Sequence, residues 1–205
     1  MTLARFMVIT DRSLMRPAFS EALSSAVLGG ARLLQLREKN LSQSGVLRLA
    51  QTSQAICEQS RARLLINSDY EITRKIGAFG THLRESQSVH EARKVLEPKY
   101  SVGQSVHSLD AAFHAARAGA DYLVFGSIFP TESHPESTPL GLDALREFTR
   151  QVSIPVFAVG GICIHNARDC LDAGAYGVAV VRAVWDAPNT EIAVREFNRV
   201  LNCQT

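Results

Sequence analysis

The sequence predicts an α/β protein that folds as a single (β/α)8 TIM barrel, and three observations support this prediction. A phrase recurs four times in which a helix-like segment ends at glycine and a short apolar run follows. Eight strand-like runs alternate with helical periodicities over the 205 residues. The strand-like runs are almost continuously apolar, as is typical of parallel strands that are covered on both faces.

The recurring phrase contains Gly29-Gly30, Gly77, Gly119 and Gly174. A glycine directly after a helix readily adopts the left-handed backbone conformation, and the β-branched run that follows it is typical of a strand. Because the same phrase returns along the chain, it indicates repeated helix–strand units.

Each element can be assigned in chain order. The strand-like runs lie at 6–10, 33–37, 64–67, 81–84, 101–105, 122–129, 156–160 and 177–182. Apolar residues at three-to-four spacing predict helices at 18–28, 43–60, 71–76, 88–96, 109–118, 142–152, 166–173 and 190–201, of which 71–76 is the weakest pattern. Ser108 and Asn166 precede helices as candidate N-caps, and Pro155 stands at a strand entrance, where no ladder donor is needed.

A doubly wound open sheet is the alternative architecture. It is less favoured because no GxGxxG follows the first strand and because the number of strands reaches eight. No Ser/Gly-rich linker, charge block or low-complexity tract divides the chain, so we expect one domain over residues 1–205. In barrels of this kind the active site lies at the carboxyl ends of the strands.

Composition narrows the classes of partner. A net charge of +2 and the lack of any Lys/Arg run argue against nucleic acid as a partner. No apolar run is long enough to cross a membrane and no secretory leader is evident, so we expect a cytoplasmic protein, with a homo-oligomer left open. Cys57, Cys163, Cys170 and Cys203 form no CxxC pair and have no histidine at zinc spacing, which predicts reduced thiols.

The most informative strand end carries Gln35, Arg37 and Lys39. Alternation along a strand would point the three side chains the same way. At the carboxyl end of a barrel strand such a row forms a cationic fork for phosphate or carboxylate. The alternative is a solvated surface at the strand exit.

A second candidate anion site follows strands seven and eight. Gly160 and Gly161 come directly after strand seven, and Val181 and Arg182 end strand eight, in the usual phosphate-binding region of such barrels. Glycines there let backbone N–H groups approach an anion closely, although a simple turn is the alternative.

The longest loop, at residues 129–141, offers two hydroxyls and one imidazole, those of Thr131, Ser133 and His134. Long loops inside compact domains are often functional. His134 is therefore a candidate acid, base or anion contact, although a lone loop histidine is more often exposed without a role. His82 and His107 are more typical of structural groups.

Several segments carry a resemblance to a known family. They are QLREK (35–39), LLINS (64–68), GQSVHSL (103–109), AGADYLVFGSIFPT (118–131), PLGL (139–142), IPVFAVGGI (154–162) and AGAYGVAVV (173–181). In their order and spacing the chain resembles the thiamine-phosphate synthase/TenI superfamily, and the resemblance covers nearly the whole chain. It implies the barrel fold and a phosphorylated thiazole or pyrimidine as ligand.

The resemblance also implies roles for individual residues. The synthase branch joins a pyrimidine pyrophosphate to a thiazole phosphate and releases pyrophosphate with Mg²⁺. Its pyrimidine- and pyrophosphate-binding strand corresponds to Gln35, Arg37 and Lys39. Asn67 corresponds to the asparagine of its Asn-Asp pair and Ser105 to the serine of its G-x-S-x-H-S run, which makes both candidate substrate-binding residues. Its Thr-x-Thr loop corresponds to Thr131 and Ser133, and its thiazole-phosphate site corresponds to Gly160 and Gly161.

The chain departs from the synthase pattern where a metal would bind. Two metal-binding aspartates of that branch correspond to Ser68 and Gln87, and a hard cation prefers carboxylate oxygens. We therefore expect no metal and no cofactor, with Mg²⁺ required only if the protein is a synthase. Glu85 is the nearby carboxylate that could compensate.

These departures make a metal-free, TenI-like thiazole tautomerase the leading hypothesis. That reaction aromatises a carboxythiazole phosphate by a proton shift, so it needs an acid or base and an anion site. The branch's strand-six histidine corresponds to Ser127, which leaves Ser127 or His134 as the candidate catalytic residue. The alternatives are a thiamine-phosphate synthase and a non-catalytic protein that binds thiamine intermediates or regulates.

Overall fold

The computed structural model describes residues 3–132, 136 and 138–202, which form a closed barrel of eight parallel strands. The strands are β1 (Phe6–Ile9), β2 (Leu33–Leu36), β3 (Arg63–Asn67), β4 (Gly80–Leu83), β5 (Ser101–Val106), β6 (Tyr122–Gly126), β7 (Val156–Val159) and β8 (Gly177–Val180). Each strand pairs with the next, and β8 pairs with β1, with Val178 opposite Phe6. The barrel prediction is confirmed, and this closure excludes the open-sheet alternative.

Helices follow the strands on the outside of the barrel. They are α1 (Phe19–Leu28), α2 (Gln43–Ser60), α3 (Tyr70–Ile76), α4 (Val89–Val95), α5 (Leu109–Arg117), α6 (Gly141–Gln151), α7 (Ala167–Asp172), α8 (Arg182–Trp185) and α9 (Thr190–Asn202). All eight predicted helices are present, whereas α8 was not predicted because four residues are too short to show a period. Ser108 caps α5 as predicted, since its side chain accepts a hydrogen bond from the N–H of Ala111. Asn166 makes no such cap and instead accepts the N–H of Cys163 within its own loop.

Apolar side chains form two layers that follow from the alternation of side chains along each strand. In β1, Met7 belongs to the cluster inside the barrel, whereas Val8 packs in the larger cluster between the strands and the helices. Tyr122 and Phe157 fill the centre of the barrel and contact each other edge to face. The interior is therefore packed, and ligands must bind at its mouth.

The recurring glycines have the backbone conformation that the sequence predicts. Positive φ angles occur at Gly30 (99°), Gly77 (67°), Gly119 (96°) and Gly174 (93°). Each of them lies between a helix and the following strand, where a left-handed residue reverses the chain direction.

Six of the eight strands end earlier than predicted, among them β2, β6 and β8, which carry candidate site residues at their ends. β2 ends at Leu36, so the alternation argument covers Gln35 but does not extend to Arg37 and Lys39. The N–H of Arg37 binds the hydroxyl of Thr10 rather than a neighbouring strand, which turns the chain out of the sheet. β6 ends at Gly126 and β8 at Val180, and Arg182 is the first residue of α8.

Two further sequence predictions concern cysteines and membranes. Cys57, Cys163 and Cys170 are free thiols, as predicted, and Cys203 lies outside the described residues. Within the described ranges, no helix combines the length and the apolar character needed to cross a bilayer.

Candidate active site at the mouth of the barrel

The carboxyl ends of the eight strands meet at one mouth of the barrel, because all of the strands are parallel. The predicted site residues form three groups there: an amide row with a buried histidine, a cationic pocket, and a glycine turn beside Arg182. His134 and Ser133, which the sequence also singles out, lie outside the described residues.

The amide row links β2 to β3. The side-chain NH2 of Gln35 donates to Oδ1 of Asn67 at 2.9 Å, and the NH2 of Asn67 donates to Oγ of Ser68 at 3.0 Å. Gln35 is 2% exposed, and its Oε1 is buried without a hydrogen-bond partner among the described residues. A buried carbonyl oxygen without a partner is costly, so this atom is suited to a donor group on a ligand.

A buried histidine continues the polar row across β4 and β5. Nε2 of His82 lies 2.9 Å from Oγ of Ser105, and Nδ1 lies 3.2 Å from the hydroxyl of Tyr122. Burial, together with the positive charge of Arg37, lowers the pKa of His82 to about 3. His82 is therefore neutral at physiological pH and serves this site as a hydrogen-bonding group.

The buried, neutral His82 predicts a pH dependence of stability. In the unfolded chain its pKa is near 6.5, so between about pH 3 and pH 6.5 the proton binds mainly to the unfolded state. The contribution of His82 should therefore lower the free energy of unfolding by about 1.4 kcal/mol for each pH unit of acidification in this window. Urea unfolding at several pH values should show a steeper loss for the native chain than for a His82→Gln variant. Parallel pH curves would contradict this assignment.

Sequence reasoning missed a second buried titratable group, Glu38. Its side chain is 4% exposed, and its carboxylate accepts a hydrogen bond of 2.7 Å from Thr10 and lies 3.6 Å from Nε of Arg12. Burial raises the pKa of Glu38, against the opposing effect of the Thr10 hydrogen bond. The hydroxyl of Thr10 also accepts the N–H of Arg37, so this network ties the end of β1 to the end of β2.

Arg37 lies beside this network in a pocket of about 480 Å³ that Lys39 also lines. Burial lowers the pKa of Arg37, while the carboxylates of Asp11 and Glu38 act in the opposite direction. Within the described part of the chain, its guanidinium forms no hydrogen bond or ion pair at close range. Arg37 thus keeps its donors for an anion, whereas Lys39 is exposed.

The glycine turn after β7 is shaped by close packing. Gly160 and Gly161 have φ angles of 97° and 63°. A Cβ at Gly160 would lie 2.6 Å from Cα of Ser127, and a Cβ at Gly161 would lie 2.3 Å from the carbonyl oxygen of Pro130. The turn therefore holds the β6–α6 loop against β7 and requires glycine at both positions, which leaves the phosphate role as a prediction.

Ser127 and Thr131 lie on the β6–α6 loop beside that turn. The carbonyl of Ser127 accepts the N–H of Leu140, which closes the base of the loop. Among the described residues, no general base is hydrogen-bonded to the hydroxyl of Ser127. As a lone hydroxyl it is poorly suited to proton transfer near neutral pH.

Arg182 is held by carboxylates on two sides. One guanidinium nitrogen lies 2.6 Å from Asp186 and 3.4 Å from Glu132, while its Nε is buried without a partner among the residues described. Val181 precedes it at the start of α8. A phosphate bound by Arg182 would compete with Glu132, which is largely exposed on the loop.

The chain is similar to known proteins over most of its length. The family model described as thiamine monophosphate synthase (TMP-TENI) matches residues 6–184. The chain belongs to this family. A putative thiamine-phosphate synthase 2 of Aquifex aeolicus is 40% identical over 179 residues, which are 87% of this chain and 96% of the relative. A thiamine-phosphate synthase of Chloroflexus aurantiacus is 36% identical and covers 97% of this chain and 93% of its own.

A solved structure is similar as well. The thiamine phosphate pyrophosphorylase from Pyrococcus furiosus superposes with a TM-score of 0.87 at 33% identity, covering 96% of this chain and 95% of the other. Sequence and fold therefore agree on membership of the thiamine monophosphate synthase family.

The Mg²⁺ that the synthase branch implies does not fit the residues present. The side-chain NH2 of Gln87 donates to the carbonyl of Ser68 at 2.9 Å, and its Oε1 accepts the N–H of Arg84. The carboxylate of Glu85 is bound to the imidazole of His107. The described residues contain no group of three or more His, Cys, Asp or Glu side chains that could hold a metal ion. Where carboxylates would be needed, the Gln87 amide is thus committed to the main chain and the Ser68 hydroxyl accepts from the side chain of Asn67.

Proposed function

We propose that this protein acts in thiamine biosynthesis as a thiamine-phosphate synthase, which joins a hydroxymethylpyrimidine pyrophosphate to a thiazole phosphate. Support comes from membership of the family and from relatives that carry the synthase name over most of the chain. This reading replaces the tautomerase as the leading hypothesis. The observation that carries it is the buried Oε1 of Gln35, which has no hydrogen-bond partner among the residues that the structure describes.

An aminopyrimidine is the ligand that suits this oxygen. Its exocyclic amino group is a donor that can bind Oε1 of Gln35, while a thiazole phosphate carries no comparable N–H donor. Asn67 holds the Gln35 amide in place, because it accepts the hydrogen bond from the other end of that amide. A ligand that satisfies a buried acceptor recovers the free energy which its desolvation costs.

The reaction exchanges one bond of the pyrimidine methylene carbon for another. Its C–O bond to pyrophosphate breaks, the bonding electrons leave with pyrophosphate, and the thiazole nitrogen forms the new C–N bond. Negative charge therefore grows on the leaving group. Arg37 and Lys39 would stabilise that charge from the pocket that they share.

The thiazole phosphate would bind across the barrel mouth. Backbone N–H groups at Gly160, Gly161 and Val181 would donate hydrogen bonds to the phosphate, with Arg182 supplying positive charge after Glu132 is displaced. No step is assigned to Mg²⁺, since positions 68 and 87 offer it no carboxylate.

The test supplies both substrates and measures thiamine phosphate and pyrophosphate, with Mg²⁺ in one series and EDTA in the other. We expect the two products in equal amounts in at least one series. A reaction without the thiazole phosphate is the control. The proposal fails if neither series forms product faster than the protein-free mixture.

Gln35→Leu provides a residue-specific prediction for the same assay. Removing the acceptor should raise the KM for the pyrimidine pyrophosphate by about 10-fold, which corresponds to roughly 1.4 kcal/mol for one lost buried hydrogen bond. The KM for the thiazole phosphate should stay within error. An equal rise in both values would argue against a pyrimidine at Gln35.

The second candidate function is the metal-free thiazole tautomerase. It is favoured by the neutral residues Ser68 and Gln87 and their mutual hydrogen bond. Incubation with the carboxythiazole phosphate, followed by its aromatisation, tests this reading, with Ser127→Ala and His134→Ala as the informative variants. Tight binding of thiazole phosphate without turnover in either assay would select the non-catalytic alternative.

A further inference from the structure

Tyr122, His82 and Ser105 form a hydrogen-bonded chain that runs from the barrel centre to its mouth. The ring of Tyr122 is fully buried, and His82 is 3% exposed. Tyr122 fits there only because its strand neighbour is glycine, since a Cβ at Gly103 would lie 2.0 Å from Cζ of the phenol ring. The tyrosine hydroxyl is thereby held 3.2 Å from Nδ1 of His82.

The number of available donors decides the direction of this chain. A neutral imidazole carries one N–H, and the phenol carries one O–H. If Nδ1 carried the proton and donated to Tyr122, the phenol O–H would be buried with no other acceptor among the described residues. If the phenol donates to Nδ1, the imidazole proton lies on Nε2 and donates to Oγ of Ser105, and every buried donor is satisfied.

We propose that Tyr122 is a positioning residue which, through His82, fixes Ser105 as a hydrogen-bond donor to the bound ligand. The oxygen of Ser105 accepts from His82, so its own proton points to another acceptor. A ligand that matches the site must therefore present a hydrogen-bond acceptor to Ser105 and a hydrogen-bond donor to Oε1 of Gln35. An aminopyrimidine carries both, in its ring nitrogens and its exocyclic amine.

The identity of the ligand rests on the proposed function, whereas the direction of the chain does not. Burial raises the pKa of Tyr122 and lowers that of His82, so the phenol stays protonated and the imidazole neutral across the physiological range. The first experiment therefore needs no ligand. In nitrogen-15 NMR of the ligand-free protein, we expect the proton of His82 on Nε2 and a hydrogen-bonded, unprotonated Nδ1. A proton on Nδ1 would overturn the proposal.

The second experiment uses calorimetric titration with hydroxymethylpyrimidine pyrophosphate alone. Tyr122→Phe should weaken the binding of this compound by about 3- to 10-fold, which is the effect expected when one neutral hydrogen bond is no longer correctly oriented. Ser105→Ala should weaken it by a similar factor, and the double variant should lose little more, because both changes remove the same contact. Thiazole-phosphate binding should be unchanged. Multiplicative losses in the double variant would overturn the proposal.

Tyr176→Phe is the matched control. Tyr176 also contacts Phe157 and also hydrogen-bonds through its hydroxyl, but it does so at the other end of the barrel, to the carbonyl of Leu3. Its variant should bind the pyrimidine pyrophosphate normally. If the native chain does not bind that compound at all, the proposed function fails, and the NMR measurement still decides the direction of the chain.

Discussion

Replacement of Arg37 by alanine is expected to weaken the binding of inorganic pyrophosphate by about 10- to 150-fold. Hydrogen bonds to charged groups contribute about 1.5–3 kcal/mol, and Arg37 has no close partner among the described residues to occupy its donors. Calorimetric titration of pyrophosphate measures the effect directly. Arg37 is half-buried in the pocket, whereas Lys39 is exposed. Removing the side chain of Arg37 should therefore weaken pyrophosphate binding more than removing that of Lys39.

Two variants make the Arg37 result specific. Arg37→Lys should fall between the native chain and Arg37→Ala, since it keeps the charge and loses the forked donors. Arg146→Ala removes an arginine that is paired with Asp143 on the outer face of α6, and it should bind pyrophosphate normally. Native affinity in Arg37→Ala would show that this strand end does not hold the anion.

Gly161→Ala is expected to lower the free energy of unfolding by about 2–5 kcal/mol and to abolish thiazole-phosphate binding. A left-handed alanine costs about 1–2 kcal/mol, and the added Cβ would also meet the carbonyl oxygen of Pro130 at 2.3 Å. The loop must move away to relieve this contact, and the backbone N–H groups proposed to bind the phosphate move with it. Urea unfolding and a titration with thiazole phosphate measure the two effects.

Gly77→Ala separates backbone strain from crowding. Gly77 has nearly the same φ as Gly161, 67° against 63°, but a Cβ there would meet nothing within 4 Å. We expect it to lose only about 1–2 kcal/mol of stability and to bind thiazole phosphate normally. Equal losses in the two variants would mean that the contact with Pro130 contributes nothing.

The elements that the sequence predicts well are those with a local signal. α2 begins and ends at the predicted residues, because eighteen residues show a clear helical period. The predicted end of β6 at residue 129 was wrong, although the N–H groups of Ile128 and Phe129 still bind the carbonyls of Val159 and Gly160. The apolar run continues there while the regular strand does not.

Glu38 shows why part of the site escaped sequence reasoning. In the QLREK segment it alternates with Gln35 and Arg37, which predicts that it points away from them. β2 ends at Leu36, however, and Glu38 turns back to the hydroxyl of Thr10, twenty-eight residues earlier. The residue at which a strand ends depends on the hydrogen bonds that the neighbouring strands offer.

The sequence by itself determined the barrel, its eight units, the strand ends that carry the candidate site, and the resemblance to the family. These properties are encoded in local periodicity, glycine positions and short motifs. Only the tertiary structure decided which polar groups meet, since Gln35 and Asn67 are 32 residues apart and His82 and Tyr122 are 40 apart. Barrel closure buries these groups together, and burial then determines which of them are neutral, paired or left for a ligand.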